Sequence, residues 1–241
     1  MADVIPLNER GVRLFTCRLY NHDYLWFSSY EISKLSATFP IIHNYALCYS
    51  LSDYSYGIYK LGDPPRYEKD LQQMNLYATP AACGTFSRSR ITYNALDSKT
   101  LCTDFPNLRG INTPMIGKRI YLNPVYQEGQ SKQEPGFLSY VFTFDGSVPK
   151  GLIRLGKKGC AIRVLREEII NPTAFLKKEK IRPTHPVNPL DISGKIIAYD
   201  PVSIPPHLIF RVADIEDDWF VLVKNHKIHI PKRVITRIQI K

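Results

Sequence analysis

At 241 residues, with 44% hydrophobic and 22% charged side chains and a formal charge of +10, the chain has enough apolar mass for one well-filled core or two small ones, which excludes the disordered and low-complexity classes. No run of eighteen apolar residues occurs, and residues 1–10 carry Asp3, Pro6 and Glu9 where a secretory signal needs a basic start and an apolar centre; a cytoplasmic location with no membrane partner is expected. Five cysteines, Cys17, Cys48, Cys83, Cys102 and Cys160, are scattered without a C-x-x-C pair, so neither a disulfide framework nor a zinc site is signalled.

From the N-terminus, residues 12–20 alternate, with Arg13, Phe15, Cys17 and Leu19 on one face and Val12, Leu14, Thr16, Arg18 and Tyr20 on the other, the period of a strand. After the turn signal Asn21-His22-Asp23, a short aromatic segment follows at residues 24–27. Thr38 as N-cap and Pro40 in the first turn predict a helix to about Leu51, with Ile41, Tyr45 and Cys48 at helical spacing. Gly62-Asp63-Pro64-Pro65 breaks the chain, and residues 67–74 predict a second, short helix.

Between residues 78 and 117 the pattern is punctuated by Pro80, Gly84, Pro106, Gly110, Pro114 and Gly117. A structureless loop of that length does not suit a compact domain, so residues 84–125 are read as an inserted arm with its own hairpin. Strands are predicted again at residues 137–144, 219–223 and 234–240. The aromatic strand at 137–144 is only weakly like an RNA-recognition strand, and core packing is its better reading. Two early helices among strands that do not repeat as βαβ units predict an α+β fold, with a ferredoxin-like (RRM-like) antiparallel core in a single domain over residues 1–241.

Charge is concentrated. Residues 150–182 hold ten Lys/Arg against three Glu, a local excess of +7 in about one seventh of the chain. Such a field captures polyanions; a solvated surface is the plainer alternative. Within it, Gly156-Lys157-Lys158-Gly159 places two lysines between two glycines, so a tight turn can bring backbone N–H groups and ammonium heads to one phosphate. Arg154 and Arg163 flank the turn and add phosphate contacts. In the inserted arm, Arg88, Arg90 and Tyr93, then Lys118, Arg119 and Tyr121, interleave cations with rings, the chemistry that follows a phosphate backbone while stacking on unpaired bases.

Catalytic signals are poor. No G-x-S-x-G, Walker or G-x-G-x-x-G motif is present. His226 and His229 fall on opposite faces of a strand, a poor start for a metal site. His22-Asp23 and His43-Asn44 are sequence neighbours, which seldom face each other as base and orienter must. No catalytic residue, metal or cofactor is expected.

Three segments, His22-Asp23-Tyr24-Leu25-Trp26-Phe27, then residues 42–49 (Ile-His-Asn-Tyr-Ala-Leu-Cys-Tyr), then Leu76-Tyr77-Ala78-Thr79-Pro80-Ala81, in this order and spacing resemble the type I-D branch of the CRISPR-associated Cas-five family (Csc-one). The likeness is clearest over residues 11–90. The resemblance implies a ferredoxin-like core with a β-hairpin thumb, a non-catalytic role in a Cascade complex, and a grip on the 5′ handle of the CRISPR RNA. It implies a Cas-seven-type backbone subunit and a Cas-ten-type large subunit as neighbours, with target DNA nearby. Some Cas-five relatives cut repeat RNA without metal, so a repeat-RNA endoribonuclease is the alternative, followed by a protein-only scaffold subunit.

Overall fold

The computed structural model describes residues 3–32, 35–53, 65–95, 115–124, 136–157 and 159–239. In chain order the elements are β1 (Val4–Pro6), β2 (Arg13–Asn21), β3 (Tyr30–Ile32), β4 (Leu35–Ala37), β5 (Ile41–Ile42), α1 (Asn44–Leu51), α2 (Tyr67–Gln73), β6 (Leu76–Ala78) and β7 (Ala81–Ala82). Then come β8 (Phe86–Ala95), β9 (Met115–Pro124), β10 (Phe137–Thr143), β11 (Leu152–Leu155), β12 (Cys160–Ile169) and β13 (Thr173–Lys177). The last are β14 (Lys195–Ile204), β15 (His207–Glu216), β16 (Asp218–Val223), β17 (His226–His229) and α3 (Lys232–Gln239).

The principal sheet has the order β11-β12-β2-β10-β7-β5, with β6 also paired to β10, and it curls into a half-barrel. Every pair in it is antiparallel. Strand β10 lies at its centre, and Phe137, Tyr140, Val141 and Phe142 are each 2% exposed or less, so the aromatic strand is spent on the core. Helix α1 crosses between β2 and β6; the described part of the connection from β10 to β12 carries β11 and no helix. A second sheet, β1-β13-β16-β17, and the ribbon β14-β15 form the C-terminal part, while β3-β4-β9-β8 make a third sheet. No helix among the described residues is long and apolar enough to cross a membrane.

Two sequence expectations are corrected. The helix expected from Thr38 begins instead at Asn44, because Ile41 and Ile42 pair with Ala82 and Ala81 as β5. His43 is the N-cap, its ring Nδ1 accepting the Tyr45 N–H at 3.1 Å. The closing segment is a helix, not a strand. Val234, Ile235 and Ile238 are buried and Thr236 is exposed, which is a helical stripe. The Pro231 carbonyl accepts the N–H of Val234 and Ile235 at 2.8 and 3.2 Å, and the Arg237 guanidinium donates to the carbonyls of Leu71 and Met74 at the end of α2.

Two of the three resemblance segments meet inside the protein. Asn44 Nδ2 donates to Tyr77 Oη at 3.1 Å and to Asp191 Oδ2 at 3.2 Å, Tyr77 Oη donates to Asp191 Oδ1 at 2.7 Å, and Asn188 Nδ2 donates to Asn44 Oδ1 at 3.1 Å. All four residues are buried. Burial pushes the Asp191 carboxyl up to about 6, against the Tyr77 hydrogen bond that favours its ionised form. A buried polar cluster with its partners in place specifies one arrangement of the elements it joins, here α1, β6 and the segment leading to β14.

Candidate nucleic-acid interface

The antiparallel register of β11, β12 and β2 lays a row of side chains on the outer face of the principal sheet. Arg163 stands opposite both Leu152 and Tyr20, Leu165 opposite Arg18, and Ala161 opposite Arg154. Directly opposed residues and their i±2 neighbours share a face. Thus Arg154, Arg163, Arg18 and Tyr20 run obliquely across three strands, between Leu152 (66% exposed) and Leu165 (48% exposed). The opposite phase, Ile153, Leu155, Cys160, Ile162, Val164, Cys17 and Leu19, is buried, which fixes which face is open.

All three arginines are exposed. None forms an ion pair with a described residue; Arg154 Nη1 donates to the Gly159 carbonyl at 2.8 Å, across the turn. Lys178 is also exposed, whereas five other cations of residues 150–182 are engaged within the protein. Lys150 reaches Asp53 at 3.3 Å, Lys177 reaches Glu179 at 3.3 Å, Lys180 and Arg182 both reach Asp214 at 2.8 Å, and Arg166 donates to the Pro149 carbonyl. The +7 excess is therefore not one patch: part of it is folded into the protein and part stands on the open sheet.

The turn at 156–159 departs from an anion nest. The Lys157 N–H donates to the Trp26 carbonyl and the Gly159 N–H to the Gly156 carbonyl, both at 3.0 Å, so these donors are used internally. Gly156 has φ +78°, and a Cβ there would lie 2.6 Å from the Trp26 carbonyl oxygen, so both conformation and space require glycine. Lys157 is exposed and its ammonium sits 5.2 Å from the Trp26 ring centroid, a cation–π contact. Lys158 lies outside the described residues. The turn thus offers side-chain charge to a ligand, and its backbone docks on the first resemblance segment.

That segment also anchors the third sheet. Thr38 Oγ1 accepts the Phe27 N–H at 2.9 Å and donates to the Phe27 carbonyl at 3.1 Å, just after β4. Strand β4 pairs in parallel with β9, and β9 pairs with β8 over ten residues. Arg88 and Arg90 are exposed on β8, and the Arg88 guanidinium lies 5.0 Å from the Phe86 ring centroid. Tyr93 stands in β8 opposite Gly117, and Lys118, Arg119 and Tyr121 stand in β9 opposite Thr92, Ile91 and Ser89. Arg88 and Arg90 share the two-residue phase of Lys118, whereas Tyr93 shares that of Arg119 and Tyr121. The six positions therefore divide between two phases of one hairpin. Residues 96–114 of the expected arm lie outside the described residues.

Three histidines, His43, His185 and His229, are buried in the protein. His229 Nε2 lies 2.9 Å from Asp218 Oδ2, with both side chains at most 1% exposed, while His226 is exposed. His185 Nδ1 donates to the Pro186 carbonyl at 2.8 Å, and its Nε2 accepts the His229 N–H at 3.1 Å. Burial holds His185 and His43 down to about 3, so both are neutral near pH 7. Among the described residues no group of three His, Cys, Asp or Glu side chains is placed to hold a metal ion.

Arg18 and Tyr20 are the interface positions that the sequence reading did not single out. The available signal was a cation and a ring at i, i+2 on the polar end of an otherwise apolar strand face. Their partners on β12 are more than 140 residues away in the chain, which no local pattern reports.

Compared with known proteins, residues 12–238 match the family model described as type I-D CRISPR-associated protein Cas5/Csc1. No curated protein matches the chain.

Proposed function

The chain belongs to the type I-D CRISPR-associated Cas5/Csc1 family, and from this premise we propose that it is the non-catalytic Cascade subunit that holds the 5′ handle of the CRISPR RNA, seated against a Cas-seven-type backbone subunit and a Cas-ten-type large subunit in the cytoplasm. The observation that carries the reading is the oblique row Arg154, Arg163, Arg18 and Tyr20, with its arginines outside any ion pair among described residues and its ring beside them. Exposed guanidinium groups bind phosphates and release counterions, and a neighbouring ring accepts a stacked base, worth about 1–3 kcal/mol. Guide pairing then reads the target sequence, while the protein positions the RNA backbone.

The order β12-β2-β10-β6, with α1 crossing between β2 and β6, supports a ferredoxin-like core in which β11 occupies the place of the second helix. In this reading the hairpin β8-β9 is the inserted thumb of residues 84–125, with Arg88, Arg90, Tyr93, Lys118, Arg119 and Tyr121 as a second set of RNA contacts. The endoribonuclease alternative is disfavoured because His43 and His185 are buried and held neutral by that burial. Incubating the purified protein with labelled repeat RNA, with and without divalent metal, separates the possibilities. Retained, uncut RNA is expected. Specific cleavage within the repeat would establish the nuclease, and neither binding nor cleavage would leave a protein-only scaffold.

A further inference from the structure

Strand β14 is an edge strand whose first five residues, 195–199, are all exposed. Its inner edge pairs with β15, and the far edge of β15 is met by Ile181 and Val187, which bridge to Ile215 and Phe210. The outer edge of β14 has no backbone partner among the described residues. Ile196, Ile197 and Tyr199 are 37%, 43% and 59% exposed along it, and Leu208 and Val212 of β15 are 41% and 38% exposed. Unlike the arginine row, this region has its charge neutralised from within. Arg211 Nε donates to Asp200 at 2.7 Å, and Lys180 and Arg182 lie on Asp214, whose side chain is 4% exposed.

We propose that β14 is an assembly edge, on which a neighbouring protein subunit lays an extended, largely apolar strand along residues 196–200. The chemistry selects this occupant. An RNA backbone finds few uncompensated cations here, and a lipid surface offers nothing to a row of backbone N–H and C=O groups. An extended polypeptide satisfies both the row and the apolar side chains beside it. Lys195 and Pro201 bound the stretch, and the register with β15 shifts between Ile196 and Ala198 and again between Asp200 and Pro201, features that keep an edge from pairing without limit. Two paired five-residue segments span about 17 Å and bury well under the roughly 800 Å² per partner of a stand-alone complex. This is a contact made as one among several, which favours a subunit of a larger assembly over a second copy of this chain. The inference rests on the reading of the chain as a member of a multi-subunit complex.

The test is the double variant Ile197→Lys/Tyr199→Lys, co-expressed with the other subunits of the complex, alongside handle-RNA binding by the isolated chain. At least a tenfold loss of incorporation, with melting temperature and RNA affinity unchanged, is expected. Unchanged incorporation overturns the proposal. So does a fall in RNA affinity in the folded variant, or a wild-type dimer that the variant abolishes while incorporation persists. If the variant does not fold, hydrogen exchange on the wild-type chain decides: amides of residues 196–200 are expected to gain protection on assembly, and unchanged exchange overturns the proposal. A wild-type chain that assembles through this edge but binds no RNA would refute the RNA reading and leave this one standing.

Discussion

The basic stretch 150–182 holds two kinds of cation, which the fold uses in opposite ways. Of the first kind, Arg154, Lys157 and Arg163 reach solvent on or beside the open sheet face, joined by Arg18 from β2. Of the second, Lys177, Lys180 and Arg182 are held by Glu179 and Asp214, and the Asp214 carboxyl lies well below the usual carboxylate range because of Arg182 first and Lys180 next. Net charge counted along a chain therefore overstates a binding site. What matters is which cations retain no internal carboxylate.

The contrast is broken or sharpened most strongly by removing the open row. The variant Arg18→Ala/Arg154→Ala/Arg163→Ala is expected to lose roughly 100-fold or more in handle-RNA affinity at low salt, since each charge-assisted contact contributes about 1.5–3 kcal/mol. Its circular dichroism should be unchanged, because exposed cations away from partners alter stability by about 0.5 kcal/mol or less. An affinity within threefold of wild type, in a folded variant, would move the principal contact to the hairpin β8-β9.

The row also shows how far the sequence was readable. Strand β2 was legible because its apolar phase is local, the helix at 67–73 because good helix formers follow the Gly62-Asp63-Pro64-Pro65 break, and Arg154 and Arg163 were picked out by their neighbourhood to the glycine turn. The α3 segment misled because Val234, Thr236, Ile238 and Ile240 alternate, and only the burial of Ile235 beside Val234 reveals the helical stripe. The turn at 156–159 was recognisable as a turn. That the Lys157 N–H is used internally depends on Trp26, far away in sequence. For the same reason the grouping of Arg163 with Tyr20 emerges only from strand pairing.

Acid should separate stability from binding. His185 and His43, held at about 3 in the fold against about 6.5 unfolded, bind fewer protons folded than unfolded. Their contribution is fully present above about pH 6.5 and is lost as pH falls toward 3. Asp191, raised to about 6, acts in the opposite sense, favouring the fold as pH drops from 6 to 4, but it is one group against two with larger displacements. Thermal melts should therefore show falling stability from pH 6.5 to 4.5. RNA affinity from arginines should stay flat between pH 6.5 and 8; a titration in that range would implicate a histidine.

A smaller effect is expected at the turn. Lys157→Ala with Lys158→Ala should reduce RNA affinity severalfold and similarly for handles of different base sequence, as phosphate contacts do. No change would mean that Lys157 serves the Trp26 ring alone. Smallest of all, Lys180→Ala/Arg182→Ala should leave RNA affinity within twofold while lowering the melting temperature, because the Asp214 carboxylate, 4% exposed, loses both of its cations. A large loss of RNA affinity in this variant would erase the distinction between the open and the paired cations of the basic stretch.

The most direct measurement is the salt dependence of handle-RNA affinity for the wild-type chain and the Arg18/Arg154/Arg163 triple alanine variant. If each arginine neutralises one phosphate of a single strand, the log–log slope should flatten by about 0.7 per arginine, or about 2 in all. Equal slopes for the two folded proteins would contradict the assignment of this sheet face to the RNA.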